Sequence, residues 1–150
     1  MSQSSARTGG MTATPIQTAS TVVGAVFLLV GILGFIPGIT SNYGDMMVAG
    51  HDSEALLLGI FQVSILHNLV HVLFGLAGLY FARSARTART FLIWGGVVYA
   101  VLWLYGLVVP HESAANFVPF NTADNWLHFL LAAGMIALGV LLSRNRANHV

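Results

Sequence analysis

"FQVSILHNLVHVLFG", residues 61–75, decides how this chain is to be read. Its apolar residues would suit any buried helix, yet it also carries Gln62, Ser64, His67, Asn68 and His71, and no charge. The run belongs to a longer uncharged stretch between Glu54 and Arg83. Similar stretches lie between Arg7 and Asp45, Arg89 and Glu112, and Asp124 and Arg144. Each holds an apolar core of roughly 18 residues or more, enough to cross about 30 Å of hydrocarbon. Of 150 residues, 56% are hydrophobic and only 7% charged, whereas a soluble domain carries about 25% charged residues. Mean hydropathy is +0.78. The expectation is an all-α integral membrane protein, a four-helix bundle occupying residues 19–142, with spans near 19–38, 58–82, 89–109 and 124–142.

The charges are sorted along this frame. Arg7 precedes the first span, Arg83, Arg86 and Arg89 fill the link between the second and third, and Arg144 and Arg146 follow the fourth. All five acids, Asp45, Asp52, Glu54, Glu112 and Asp124, fall in the other two loops. The positive-inside rule then predicts cytoplasmic N- and C-termini, including the tail 143–150, and an outward position for loops 39–57 and 110–123. Residues 1–18, rich in Ser, Thr, Gly and Ala, read as a disordered tail, with Met11 an alternative start. Arg7 followed by the apolar stretch 22–36 also resembles a secretory signal, but no A-x-A-like cleavage site follows and the first span reads as retained.

Composition removes several classes of function. Cysteine is absent, so neither disulfides nor thiolate metal sites arise. A net charge of +1 offers no basic surface to neutralise phosphates, which excludes nucleic acid as a partner. All six basic residues are arginine and none is lysine, a bias that suggests a high-GC bacterium and hence the bacterial cytoplasmic (inner) membrane. The lipid bilayer is then the first partner, with a larger membrane complex or a homo-oligomer as further expectations.

Lipid tails are as apolar as leucine, so helices in a bilayer associate through small residues and polar contacts. Those residues mark the seams. The first span gives Ser20, Gly24, Phe27, Gly31, Gly34 and Gly38; the second gives Ser64, Asn68, His71, Gly75, Gly78 and Ala82. The third gives Gly95, Tyr99, Leu102, Gly106 and Val109; the fourth gives Asn125, His128, Ala132, Met135 and Gly139. Steps alternating between three and four residues keep one stripe toward a partner helix. Leu66, Leu69, Val70 and Leu73 then face lipid. "LHNLVHVLFGLAGLYFAR" (66–83) and "LHFLLAAGMIALGVLLSR" (127–144) share Leu-His, a glycine eleven residues after the histidine and an arginine sixteen after it. This points to a helix-hairpin duplication, with His67 and His128 at equal depth, each roughly 24 Å from its arginine along a helix.

"VFLLVGILGFIPG" (26–38), "AGHDSEALLLGIFQVSILHNLVHVLFGLAG" (49–78), "VVYAVLWLYG" (97–106) and "AANFVPFNTADNWLHFLLAAGMIALG" (114–139) together resemble small bacterial membrane proteins grouped as domain of unknown function 4383. The pair "LHNLVH" and "NTADNWLH" is the most specific part, and the likeness covers roughly 18–142. The resemblance implies four spanning helices and brings no activity, cofactor or catalytic residue with it.

Ionisable residues inside a membrane are functional candidates because holding them there costs free energy. His67, His71 and His128 can be ligands for zinc or copper, with Asp124, four residues before His128, accepting from its ring behind the metal. A haem b would instead take His128 with His67 or His71 as axial pair, in space left by Gly31, Gly34, Gly75 and Gly78. A proton or small-solute pathway would use the same histidines with Gln62 and Asn68. Against these stands structural use: neutral histidine and asparagine hydrogen-bond between helices, with Ser64, Asn68 and Asn125 on the polar seam, and no cofactor at all. Thr122 is expected to cap the fourth span and Asp52 and Ser53 an extended start of the second. Phe117, Val118 and Phe120 either dip into the bundle mouth above His128 or lie in the interface. No nucleophile–base pair, phosphate loop or paired carboxylates appear, so the expected role is that of a non-enzymatic structural or accessory subunit.

Overall fold

In the computed structural model the described residues are 13–144, and four helices account for most of them. Helix α1 runs Pro15–Leu33, α2 Ile65–Phe81, α3 Ala85–Val108 and α4 Thr122–Arg144. Three of them, Pro15–Leu33, Ala85–Val108 and Thr122–Ser143, are long and apolar enough to cross a membrane; α2 is apolar but has 17 residues. Residues 1–12 and 145–150, with Arg7, Met11 and Arg146, lie outside the described residues.

Each helix differs from its expected bounds for a local reason. α1 starts at Pro15, inside the stretch read as a disordered tail. Proline suits the first helical position, and the Thr14 amide donates to Gln17 Oε1 at 3.1 Å. It stops at Leu33 rather than 38 because the Thr40 hydroxyl turns back onto the Leu33 and Gly34 carbonyls, each at 3.2 Å. Gly38 is exposed at φ +91° and takes no part in a seam. α3 starts at Ala85, so Arg86 and Arg89 belong to its first turns; Ser84 is its cap, accepting from the Thr87 amide at 3.2 Å.

The largest correction concerns residues 58–64, which were expected to be helical. The chain is not wholly α-helical: Thr40–Ser41 (β1), Leu56–Leu57 (β2) and Phe61–Gln62 (β3) form a small antiparallel sheet in the order β1-β2-β3. Between β2 and β3 the backbone reverses with positive φ at Leu58 (54°) and Gly59 (71°). Only then does α2 begin, capped by Ser64, whose hydroxyl accepts from the His67 amide at 3.1 Å. Ser64 is therefore a cap at the end of the seam. Ser53, expected to cap this helix, instead donates to the Val63 carbonyl at 2.6 Å and accepts from the Met47 amide at 3.2 Å.

α1 packs chiefly on α2 and α3 on α4, with thinner contact between the pairs. Both pairs are antiparallel. In the first, Gly24 meets Gly75 and Gly78 while Gly31 meets Asn68 and Val72; a Cβ on Gly31 would stand 2.7 Å from the Val72 amide nitrogen. The Ser20 hydroxyl crosses this seam to the Gly78 carbonyl at 3.0 Å. In the second, Gly96 meets Ala132 and Ile136, and Gly139 meets Ile93. Backbones approach because no side chain intervenes, which is how apolar helices gain contact where burial alone gives no driving force. Phe27, Phe91, Leu92, Tyr99, Ala132 and Met135 form the buried core between the pairs. The expected stripes agree with burial nearly throughout; besides Gly38 and the half-buried Val109, Leu102 departs at 39% exposed, where α2 and α3 stand apart.

Candidate functional site

The end of the molecule opposite the arginine-bearing link is closed by the sheet and the 109–121 segment. Asn116, fully buried, holds that segment: its Nδ2 donates to the carbonyls of His111 (2.9 Å) and Phe120 (3.2 Å), and its Oδ1 accepts from the Phe120 amide. The fold brings Pro119 over α2 and Phe120 against His128, ring centroids 6.5 Å apart. Gln62 Nε2 donates to the His51 and Ser53 carbonyls at 3.0 and 2.8 Å, which stitches the 50–53 turn to β3.

His67, His71 and His128 come together beneath this cover, each at least nine-tenths buried. His67 Nδ1 lies 2.9 Å from the Pro119 carbonyl and His71 Nδ1 lies 3.0 Å from the carbonyl of His67. A carbonyl can only accept, so in both rings the proton sits on Nδ1 and a neutral ring keeps a lone pair on Nε2. His128 is different: its Nδ1 is buried with no partner among the described residues. Tyr99 packs edge-on to His128 at 5.2 Å, and Phe27 tilts against His71 at 5.6 Å.

Two cavities meet at these three imidazoles. One, of about 100 Å³, lies between α2, α3 and the 115–120 segment, where Val70, Tyr99, Leu102 and Phe120 join the histidines. The other, of about 90 Å³, lies on the far side against α1, the sheet and α4. Phe117, Val118 and Phe120 all line the first cavity, the covering role that the sequence offered as one of two choices.

The geometry does not assemble the metal site that the sequence offered. Among the described residues no three His, Asp or Glu side chains are grouped to hold a metal ion. The His67 and His71 rings are stacked, centroids 4.5 Å apart and planes 25° from parallel. Lone pairs in such planes run side by side and do not converge at the roughly 2.0–2.1 Å of an imidazole–zinc bond. Asp124 does not hold His128: its Oδ2 accepts from the amides of Gln62 and Asn121, each at 2.9 Å. Asn121 Oδ1 accepts in return from the Asp124 amide at 3.0 Å, so Asn121, not Thr122, caps α4 in a reciprocal box. The cavity beside His71 and His128 measures about 100 Å³. The glycines expected to make room are used otherwise: Gly31 and Gly75 admit backbone, and Gly34 receives the Asn68 amide. Asn125 likewise packs its amide on Gly106, with Oδ1 unpartnered among the described residues.

Sequence reasoning missed Tyr99, Asn116 and Pro119 as site residues. Tyr99 carried a weak signal in its seam spacing. Pro119 acts through its carbonyl, which no side-chain pattern announces. The family described as Domain of unknown function (DUF4383) matches residues 17–141. No curated protein and no solved structure matches the chain.

Proposed function

The chain belongs to the DUF4383 family, and on that footing we propose that it serves as a structural or accessory subunit of the bacterial inner membrane, a four-helix bundle with both termini cytoplasmic. Its intramembrane polar residues act as fasteners. The observation that carries this reading is the bond from His67 Nδ1 to the Pro119 carbonyl, which ties α2 to a segment 52 residues away at 2.9 Å. Asp124 does the same for β3 and α4. A histidine used this way satisfies a buried carbonyl that would otherwise cost about 1–3 kcal/mol.

A transmembrane pathway finds less support. Both cavities lie at the capped end, and beyond them Phe27, Phe91, Leu92 and Met135 pack as a buried apolar core. The partner of such a subunit would be a larger membrane complex or a second copy of the chain. The test is purification from native membranes in mild detergent. The expected product is colourless, holds no stoichiometric metal, and carries a reproducible companion protein or self-associates. A Soret band, or about one zinc or copper per chain lost on changing His128, would overturn the reading.

A further inference from the structure

Fastening leaves part of the histidine cluster unused. His71 gives its Nδ1 proton to the His67 carbonyl, and no hydrogen bond among the described residues reaches its Nε2. His128, 7% exposed, has an Nδ1 with no partner. Both rings line the 100 Å³ cavity, whose other walls include the aromatic side chains of Tyr99, Tyr105 and Phe120. Its rim is formed by Val70 and Leu102, 42% and 39% exposed on the apolar flank between α2 and α3. The chamber therefore has an apolar flank between α2 and α3, next to the exposed Tyr105 and Phe117 of its capped-end wall.

We propose that this chamber is a lateral binding site for a lipid-soluble molecule with a single hydroxylated aromatic ring, a phenol or hydroquinone head on an apolar tail. Three features select that chemistry. A neutral His71 offers a lone pair at Nε2 and a neutral His128 one ring N–H, so the pair fits a group that can both donate and accept, as a ring hydroxyl does and an ether does not. The aromatic walls favour a flat ring in offset or edge-to-face contact. The volume is below the ~150 Å³ that encloses benzene, so the ring enters by its hydroxylated edge and the tail lies between Val70 and Leu102. The inference goes beyond the accessory role and does not depend on it: a subunit with a companion protein can have this site or lack it.

The test uses the full-length protein in lipid nanodiscs, titrated calorimetrically with 4-hexylphenol, its methyl ether and 2-hexylhydroquinone. The two hydroxylated probes should bind saturably, and the methyl ether should bind about tenfold more weakly, the loss of one hydrogen bond in a desolvated site. Leu102→Trp should fill the mouth and abolish binding while leaving the melting temperature unchanged, because Leu102 packs at the rim and not in the core. Equal binding of phenol and ether, undiminished binding to Leu102→Trp, or no saturable binding of either hydroxylated probe would each overturn the proposal.

Discussion

Alanine at Gly31 and alanine at Gly134 should move stability in opposite directions. At Gly31 the new methyl carbon would stand 2.7 Å from the Val72 amide nitrogen and 2.8 Å from the Asn68 carbonyl oxygen. Both are helix backbone, so neither can rotate aside. Restoring van der Waals contact requires α1 and α2 to part by roughly 1 Å, and a gap of 0.5–1 Å forfeits about a quarter to a half of each dispersion contact it opens. Overpacking of this kind costs about 1–3 kcal/mol, and the displacement would also stretch the Ser20–Gly78 bond. Gly134 lies in mid-helix with nothing within 4 Å of a Cβ. There alanine only removes the conformational freedom of glycine, a gain of about 0.5–1 kcal/mol. The two variants should therefore differ by about 1.5–4 kcal/mol. Reversible unfolding in mixed micelles, followed by circular dichroism, measures both. If Gly31→Ala proves neutral or stabilising, α1 and α2 do not touch backbone to backbone and the seam described above is wrong.

Replacing His67 by Phe should cost about 1–3 kcal/mol by orphaning the Pro119 carbonyl, whereas His128→Gln should cost less because the Nδ1 of His128 has no partner among the described residues; equal losses in the same unfolding assay would contradict the fastening role. Asp124→Ala should be more damaging than Thr122→Ala, since the carboxylate serves the Gln62 and Asn121 amides together, and the reverse order would return the cap of α4 to Thr122. Single cysteines at Ser84 and Ser113 should divide on intact cells. Only the latter should react with a membrane-impermeant thiol reagent, and labelling at Ser84→Cys would invert the proposed orientation.

Much of the helix packing was legible because lipid simplifies the code. Where leucine gains nothing by turning inward, small and polar residues must mark the contacts, and Ser20, Gly24, Phe27, Gly31, Asn68, His71, Gly75 and Gly78 are all buried as their spacing implied. Leu102 shared that spacing yet stands open, because a stripe says which face turns inward and not how far a neighbouring helix diverges. The hairpin at 56–62 was illegible for a different reason. "LLLGIF" (56–61) is apolar throughout, and a short apolar run reads equally as strand or as buried helix. Only Gly59 hinted at the reversal, and the positive φ at Leu58 is a conformation that leucine's sequence preferences argue against. Of the site, the three histidines were found by their cost to the membrane; their partners were not, because backbone carbonyls carry no identity in a sequence.

The early end of α2 has a consequence for whatever bilayer surrounds the protein. Its 17 residues rise about 26 Å, whereas the 24 residues of α3 rise about 36 Å. What a hydrocarbon layer about 30 Å thick must match is the uncharged part of each helix, and beyond Arg89 the residues 90–108 of α3 rise about 28 Å. Beside α2 the shortfall lies next to the 56–62 hairpin, whose Leu58 and Ile60 side chains are exposed and apolar and supply the missing greasy height without helix. A bilayer around the molecule would therefore fit it best where the hydrocarbon is a few ångströms thinner than about 30 Å.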